Sequence, residues 1–206
     1  MKTPKQNLFR GTFSILAISP DSNLMGVAVA SGSTYVGERV PHTRPGIGVI
    51  ATQAYTDVSY GRRGLKLLAE GLTPQEALNL LLTKDSQREM RQVAIMDFKR
   101  RKAVFTGKNV PEHHSELVGD DYVVIGNMLA RKQVASNMAK EFENSSGDLA
   151  LRMATALKAG SQSGGDKRGE KSAALVIVSK QKVELEVKID VSENPVEKLL
   201  QKLKLQ

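Results

Sequence analysis

Cysteine does not occur in this chain, which excludes disulfides, thiolate metal sites and cysteine nucleophiles. Tryptophan is missing too, and aromatic residues make up only 4%, so stacking platforms for nucleic-acid bases are scarce. No apolar run approaches the roughly 20 residues that a spanning helix needs. The apolar stretch after the basic residues 1–10 is short and broken by Ser14 and Ser19, unlike a secretory signal. No membrane partner is expected, and the expected compartment is the cytoplasm.

What is present is ample material for one buried domain: 206 residues, 40% of them hydrophobic. The net charge of +8 raises the possibility of phosphate binding. Its densest cluster, Lys99-Arg100-Arg101-Lys102, lies between two apolar runs where a hairpin turn would expose it. The charge therefore predicts a solvated basic surface and a small acidic partner rather than a nucleic acid.

Hydrophobic patterning predicts strands over 12–18 and 24–31, joined by the turn formers Ser19-Pro20-Asp21-Ser22-Asn23, and a third over 47–53. These runs are apolar on both faces, as in a sheet covered on each side. Leu65, Leu68 and Leu72 then recur at helical spacing, with Gly71 marking a stop. Thr73-Pro74-Gln75-Glu76 reads as the cap of a second helix carrying Leu78, Leu81 and Leu82. A strand block over 92–106 and 122–127 precedes a second helix pair marked by Val134, Met138 and Phe142, and by Leu149, Met153 and Leu157. Strands return over 173–178 and 183–189, and a final helix, capped at Asn194-Pro195, carries Leu199, Leu200 and Leu203. Strand blocks alternating with helix pairs argue against a doubly wound sheet and for an α+β fold with two antiparallel sheets between helical layers.

Thr12 follows Gly11 and opens the first strand. A cut between them would give Thr12 a free amine beside its own hydroxyl, a nucleophile and a base in one residue. The plain alternative is a threonine that supplies β-propensity and a polar edge. Hairpin pairing places Thr12 and Ser14 near Ser31, and Thr52 and Gln53 join them if the third strand continues the sheet. Asn127 ends its strand and Ser172 opens another, so both can share this rim, which has the character of a binding site at a sheet edge.

The stretch 160–172 is rich in glycine and serine. It is not a phosphate-binding loop, because Asp166 stands where the lysine should be. Its glycines, Gly165 among them, would let backbone N–H groups approach a ligand, with Asp166 holding an ammonium or Arg168. Tyr60-Gly61-Arg62-Arg63-Gly64 opens a helix, where Arg63 could meet a substrate anion. Adjacent His113 and His114 would point to opposite faces of a strand, and His42 is the one other histidine, so neither metal nor cofactor is expected.

In order along the chain, Thr12-Phe13-Ser14-Ile15, Gly26-Val27-Ala28-Val29-Ala30-Ser31, Ala51-Thr52-Gln53-Ala54, Tyr60-Gly61-Arg62-Arg63-Gly64, Gly126-Asn127-Met128-Leu129 and Gly164-Gly165-Asp166-Lys167-Arg168-Gly169 with Ser172-Ala173-Ala174 resemble the blocks of one family. It is domain-of-unknown-function family ten-twenty-eight, placed in the N-terminal-nucleophile (Ntn) hydrolase superfamily. The resemblance implies a four-layer αββα sandwich over 12–206 as a single domain, with 1–11 an N-terminal extension and candidate propeptide. It implies attack by Thr12 Oγ on an amide carbonyl of a small substrate, with the freed α-amine as base and Gly11 as the departing residue. Asp166 and Ser172 would orient that amine, Asn127 or a backbone N–H would stabilise the oxyanion, and Arg39 would supply positive charge. Proteasome-type threonine enzymes carry a lysine near the nucleophile. Residues 36–44 hold Arg39, His42 and Arg44 but no lysine, and arginine does not shuttle protons.

Two readings stand at this point. One is a self-cutting amidohydrolase; the other is a catalytically silent module of the same fold, holding a small anion with Arg63 and the 164–169 loop. The apolar side of the terminal helix fits either a contact in a homo-oligomer or a cap on its own sheet.

Overall fold

The first two predicted strands are continuously apolar, and the computed structural model, which describes residues 11–205, buries almost every residue of both. β1 (Thr12–Ile18) and β2 (Leu24–Ser31) form the expected hairpin. β8 (Tyr122–Asn127) flanks β1 on its other side, and β9 (Ser172–Ser179) flanks β2. With β7 (Ser115–Val118) and β10 (Val183–Ile189) at the edges, they make a six-stranded antiparallel sheet in the order β10-β9-β2-β1-β8-β7. The third predicted strand, β4 (Gly48–Ala54), does not extend this sheet. It joins β3 (Pro41–Arg44), β5 (Arg91–Asp97) and β6 (Lys102–Thr106) in a second antiparallel sheet of four strands. Edge strands β3 and β7 escape the sequence pattern because each is four residues long and only half buried, with no sustained alternation to read.

Three apolar clusters separate four layers. Phe13, Ile15 and Ala17 point from β1 toward α3 (Gln133–Asn144), α4 (Leu149–Gln162) and α5 (Pro195–Leu203). Leu16 and Ile18, on the other face of β1, meet Val49 and Ala51 of β4 between the sheets. Ile50 and Ile95 face α1 (Ser59–Ala69) and α2 (Pro74–Thr83). The molecule is thus an αββα sandwich, as the strand-block pattern predicts. Thr73 and Glu76 form the expected reciprocal cap of α2. Asn194 precedes α5 without the expected side-chain cap. Residues 1–10, which hold most of the candidate propeptide, lie outside the described residues.

Arg100 pairs with Asp121, and Arg101 with Asp97 at 2.6 Å, so two members of the basic turn are engaged within the fold. Among the described residues, no helix is long and apolar enough to cross a membrane.

Candidate active site

Strand parity decides which side chains meet. Thr12 has the parity of Leu16, Ser31 that of Val29, Asn127 that of Ile125, and Ser172 that of Ala174, all of which face the space between the sheets. The registers align Asn127 with Thr12, Thr12 with Ser31, and Ser31 with Ser172. Residues directly opposite one another across antiparallel strands share a face. Asn127, Thr12, Ser31 and Ser172 therefore form one polar row across four strands, buried at one end of an otherwise apolar interlayer.

The opposing sheet answers with two glutamines. Gln53 and Gln92 are register partners on β4 and β5, and both are fully buried. Gln53 accepts from Ser14 Oγ at 2.6 Å and donates to the Thr12 carbonyl at 3.3 Å and to Gln92 Oε1 at 2.8 Å. Gln92 Oε1 also accepts from Asn127 Nδ2 at 3.1 Å. The Gln92 amide nitrogen is surrounded by three acceptors: Thr106 Oγ1, the Ser115 carbonyl and the Gly126 carbonyl. Burial requires partners for such groups, and this network supplies most of them.

Thr12 lies beside the bond that joins it to Gly11. Its hydroxyl donates to Ser31 Oγ at 3.3 Å, and Ser31 Oγ donates to the Gly11 carbonyl at 2.6 Å. Arg168 Nη2 approaches the same carbonyl at 3.3 Å. Ser31 Oγ lies 2.9 Å from Ser33 Oγ, which accepts from Arg39 Nη2 at 2.7 Å. With Ser31 donating to Gly11, Ser33 must donate to Ser31, so one polarised series of hydrogen bonds runs from the Arg39 guanidinium to the Gly11 oxygen.

Asp166 is buried over the entry to β1. It accepts from the Gly32 N–H at 2.8 Å, the Arg168 N–H at 2.9 Å, Arg168 Nε at 3.0 Å and Arg168 Nη2 at 2.8 Å. These bonds to the Asp166 carboxylate hold the Arg168 guanidinium above its ordinary range, against the opposing effect of burial. Gly11 and Gly32 each stand one residue beyond the Thr12–Ser31 pair and let the carboxylate come close. A β-carbon on Gly11 would lie 2.8 Å from Asp166 Cγ, and one on Gly32 would lie 2.7 Å from Asp166 Oδ2.

Several expected site residues are elsewhere. Thr52 has the parity of Ile50, so it faces the helices, and its hydroxyl reaches the Asp57 carbonyl. Arg63 is exposed on α1, in a cleft with Lys66, Glu70 and Lys84, and has no part in the Thr12 network. Ser172 is separated from Thr12 by Ser31. It accepts from Val36 N–H and donates to the Ser33 carbonyl, and so anchors the 33–36 loop rather than the Thr12 amine.

Asn127 directs its NH2 group at Gln92, leaving its oxygen without a hydrogen-bond partner among the described residues. It presents an acceptor where an oxyanion would need a donor. The glycine loop offers no row of N–H groups either. The N–H groups of Gly164, Gly165, Lys167 and Gly169 go to backbone carbonyls, that of Asp166 to Glu170, and that of Arg168 to Asp166. Gly165 is a packing residue at φ 52°, where a β-carbon would strike Glu170. His113 lies in a bend and His114 directly before β7, so neither is in a strand. Among the described residues no group of three or more acidic or histidine side chains could hold a metal ion.

Gln92, Ser33 and Gly32 complete the site, and no motif in the sequence marks them. A glutamine directly ahead of the apolar run Val93-Ala94-Ile95-Met96 of β5 is the available sequence signal for the first.

A family model described as a family of unknown function (DUF1028) matches residues 12–199. The crystal structure of protein SPO2555 from Silicibacter pomeroyi, assigned to the same family model, superposes with a TM-score of 0.88 at 30% identity, covering 95% of this chain and 88% of that one. Looser likenesses include Anbu (ancestral beta-subunit) from Yersinia bercovieri, with a TM-score of 0.45 at 9% identity over 94% of this chain and 93% of that one. A Gly-1 mutant of Anbu from Hyphomicrobium sp. strain MC1 gives 0.47 at 10% identity over 94% of each chain. No curated protein matches the chain.

Proposed function

This chain belongs to the family of unknown function DUF1028, and from the geometry at Gly11 and Thr12 we propose that it is an Ntn-type amidohydrolase that frees Thr12 by cutting its own chain. The observation that carries the reading is the double role of Ser31, which accepts from Thr12 Oγ and donates to the Gly11 carbonyl. As Thr12 Oγ bonds to the Gly11 carbonyl carbon, its proton passes to Ser31 while the Ser31 proton passes to the carbonyl oxygen. No charge need separate. Arg168 adds positive potential at that oxygen. The Gly11–Thr12 C–N bond then breaks as the carbonyl re-forms, the intermediate's hydroxyl proton passes to the Thr12 nitrogen to give the free amine, and water hydrolyses the ester to a Gly11 carboxylate and a restored hydroxyl.

Thr12 is 1% exposed, which suits a state before the cut. Departure of residues 1–11 would open the seat of Gly11 to a small amide or peptide-like substrate and leave an α-amine beside Asp166. That amine titrates near about 7.7–8.0 in ordinary peptides, so it is suited to act as a base at neutral pH. Asp166 would hold its protonated form, Ser31 and Arg168 would receive the substrate oxygen, and Arg39 would act through Ser33 as a fixed charge.

Intact-mass measurement and N-terminal sequencing test the reading. The expected product begins at Thr12, and Thr12→Ala stays uncut and inactive. A Thr12→Ala protein that hydrolyses amides as well as wild type overturns it.

A further inference from the structure

The place where a substrate's acyl half would sit already has an occupant, Gly11, and its surroundings define what can replace it. The Gly11 carbonyl oxygen is held by Ser31 and Arg168. The L-side-chain direction from its α-carbon runs into Asp166, where a β-carbon would lie 2.8 Å from Cγ and 2.9 Å from Oδ1. A flexible side chain could swing aside, but this carboxylate accepts from Gly32 N–H and from three N–H groups of Arg168. Its own backbone is pinned as well, with Asp166 N–H on Glu170 and Lys167 N–H on the Met128 carbonyl. On the far side the carboxylate packs directly on Gly32, where a β-carbon would fall 2.7 Å from Oδ2, so it has no room to retreat.

We infer that Asp166, backed by Gly32 and Arg168, is a specificity wall: the site takes amides whose acyl α-carbon carries no L side chain, the class of glycyl and unsubstituted acyl amides. The inference rests on the function proposed above. Thr12 Oγ bonds to the acyl carbon, the amide C–N bond breaks, and the hydroxyl proton leaves with the amine by way of the Thr12 α-amine. Water then splits the ester into the carboxylic acid and free Thr12. The wall stays in place throughout, because none of its hydrogen bonds involves the leaving chain except the one from Arg168 to Gly11.

The test has two arms. Processed wild-type protein is assayed on glycyl, propionyl and L-alanyl amides of one fluorogenic amine, and self-cutting of full-length Gly11→Ala is timed by intact mass against wild type. The wall predicts kcat/KM about a hundredfold lower for L-alanyl than for glycyl, the scale on which a pocket rejects one misplaced carbon, with propionyl hydrolysed and self-cutting slowed comparably in the variant. L-alanyl turnover within threefold of glycyl overturns the inference while leaving the hydrolase reading intact, and the substrate arm needs no variant to fold. If wild type cuts itself yet hydrolyses no amide, the substrate reading fails alone and the Gly11→Ala rate decides the wall. If wild type never cuts and hydrolyses nothing, both fall together.

Discussion

The side-chain amide of Gln53, on β4, donates across the interlayer to the main-chain carbonyl of Thr12, on β1, at 3.3 Å. The residue proposed as nucleophile is thereby tied to the sheet it does not belong to. Replacing Gln53 by Leu removes the donor to Gln92 as well and strands Ser14 Oγ. Each buried polar group left unpartnered costs about 1–3 kcal/mol. Gln53→Leu is expected to lower urea-measured stability by about 2 kcal/mol or more and to slow self-cutting. A change below about 0.5 kcal/mol, the range of ordinary surface substitutions, would mean that the cross-sheet amides hold nothing.

Ser31 and Arg168 both reach the Gly11 oxygen, but unequally. The hydroxyl is 2.6 Å away and buried, whereas the guanidinium is 3.3 Å away and its side chain is 36% exposed. Ser31→Ala should slow self-cutting by roughly 10²- to 10⁴-fold, the usual contribution of one side chain positioned to move the proton. Arg168→Met should slow it less. A mass-resolved time course on full-length protein reads both, and the reverse ranking would assign the principal donor to arginine.

Hydrolysis by the processed protein should rise with pH. The Thr12 amine must be neutral to take a proton, and the neighbouring Asp166 carboxylate favours its ammonium form. The acidic limb of kcat/KM is expected at or above the ordinary α-amine value of about 7.7–8.0. A limb near pH 4 would indicate a carboxylate base instead.

On the far side of the smaller sheet, Asp85 joins Arg91 at 2.7 Å and Tyr60 at 2.9 Å. Burial alone would raise its carboxyl, but the hydrogen bonds from Arg91, the Gln87 N–H and Tyr60 outweigh it and hold Asp85 below the ordinary carboxylate value. With the folded pKa below the unfolded one, its stabilisation is complete above about pH 3.9 and is lost as pH falls through the folded pKa. Asp85→Asn should therefore melt below wild type at pH 7, with the gap closing toward pH 3. A gap independent of pH would trace the loss to packing.

Much of the sandwich is legible along the chain because its signals are local. The apolar runs of β1 and β2, the Thr73–Glu76 cap and the helical spacing of Met138 and Phe142 each lie within a few residues. Parity along 12–18 already gives Thr12 and Ser14 a common face, and the hairpin brings Ser31 to Thr12. The same parity turns Thr52 away from Gln53, a distinction that treating both as rim residues misses. Arg63 lies away from the Thr12 network for a related reason: a helix N-terminus can be read from sequence, but the layer it packs on cannot.

The order of residues by itself determined that a hydroxyl follows a glycine at the mouth of a buried strand, and that it shares a face of that strand with Ser14, since period-two alternation needs no knowledge of distant chain. Only the tertiary structure decided what that hydroxyl meets. Gln53 lies 39 residues from Ser14, and Asp166 lies 134 residues from Gly32, and such contacts depend on which strands share a sheet and how the two sheets stack. Stacking results from the summed burial of many apolar side chains, so no short stretch encodes it.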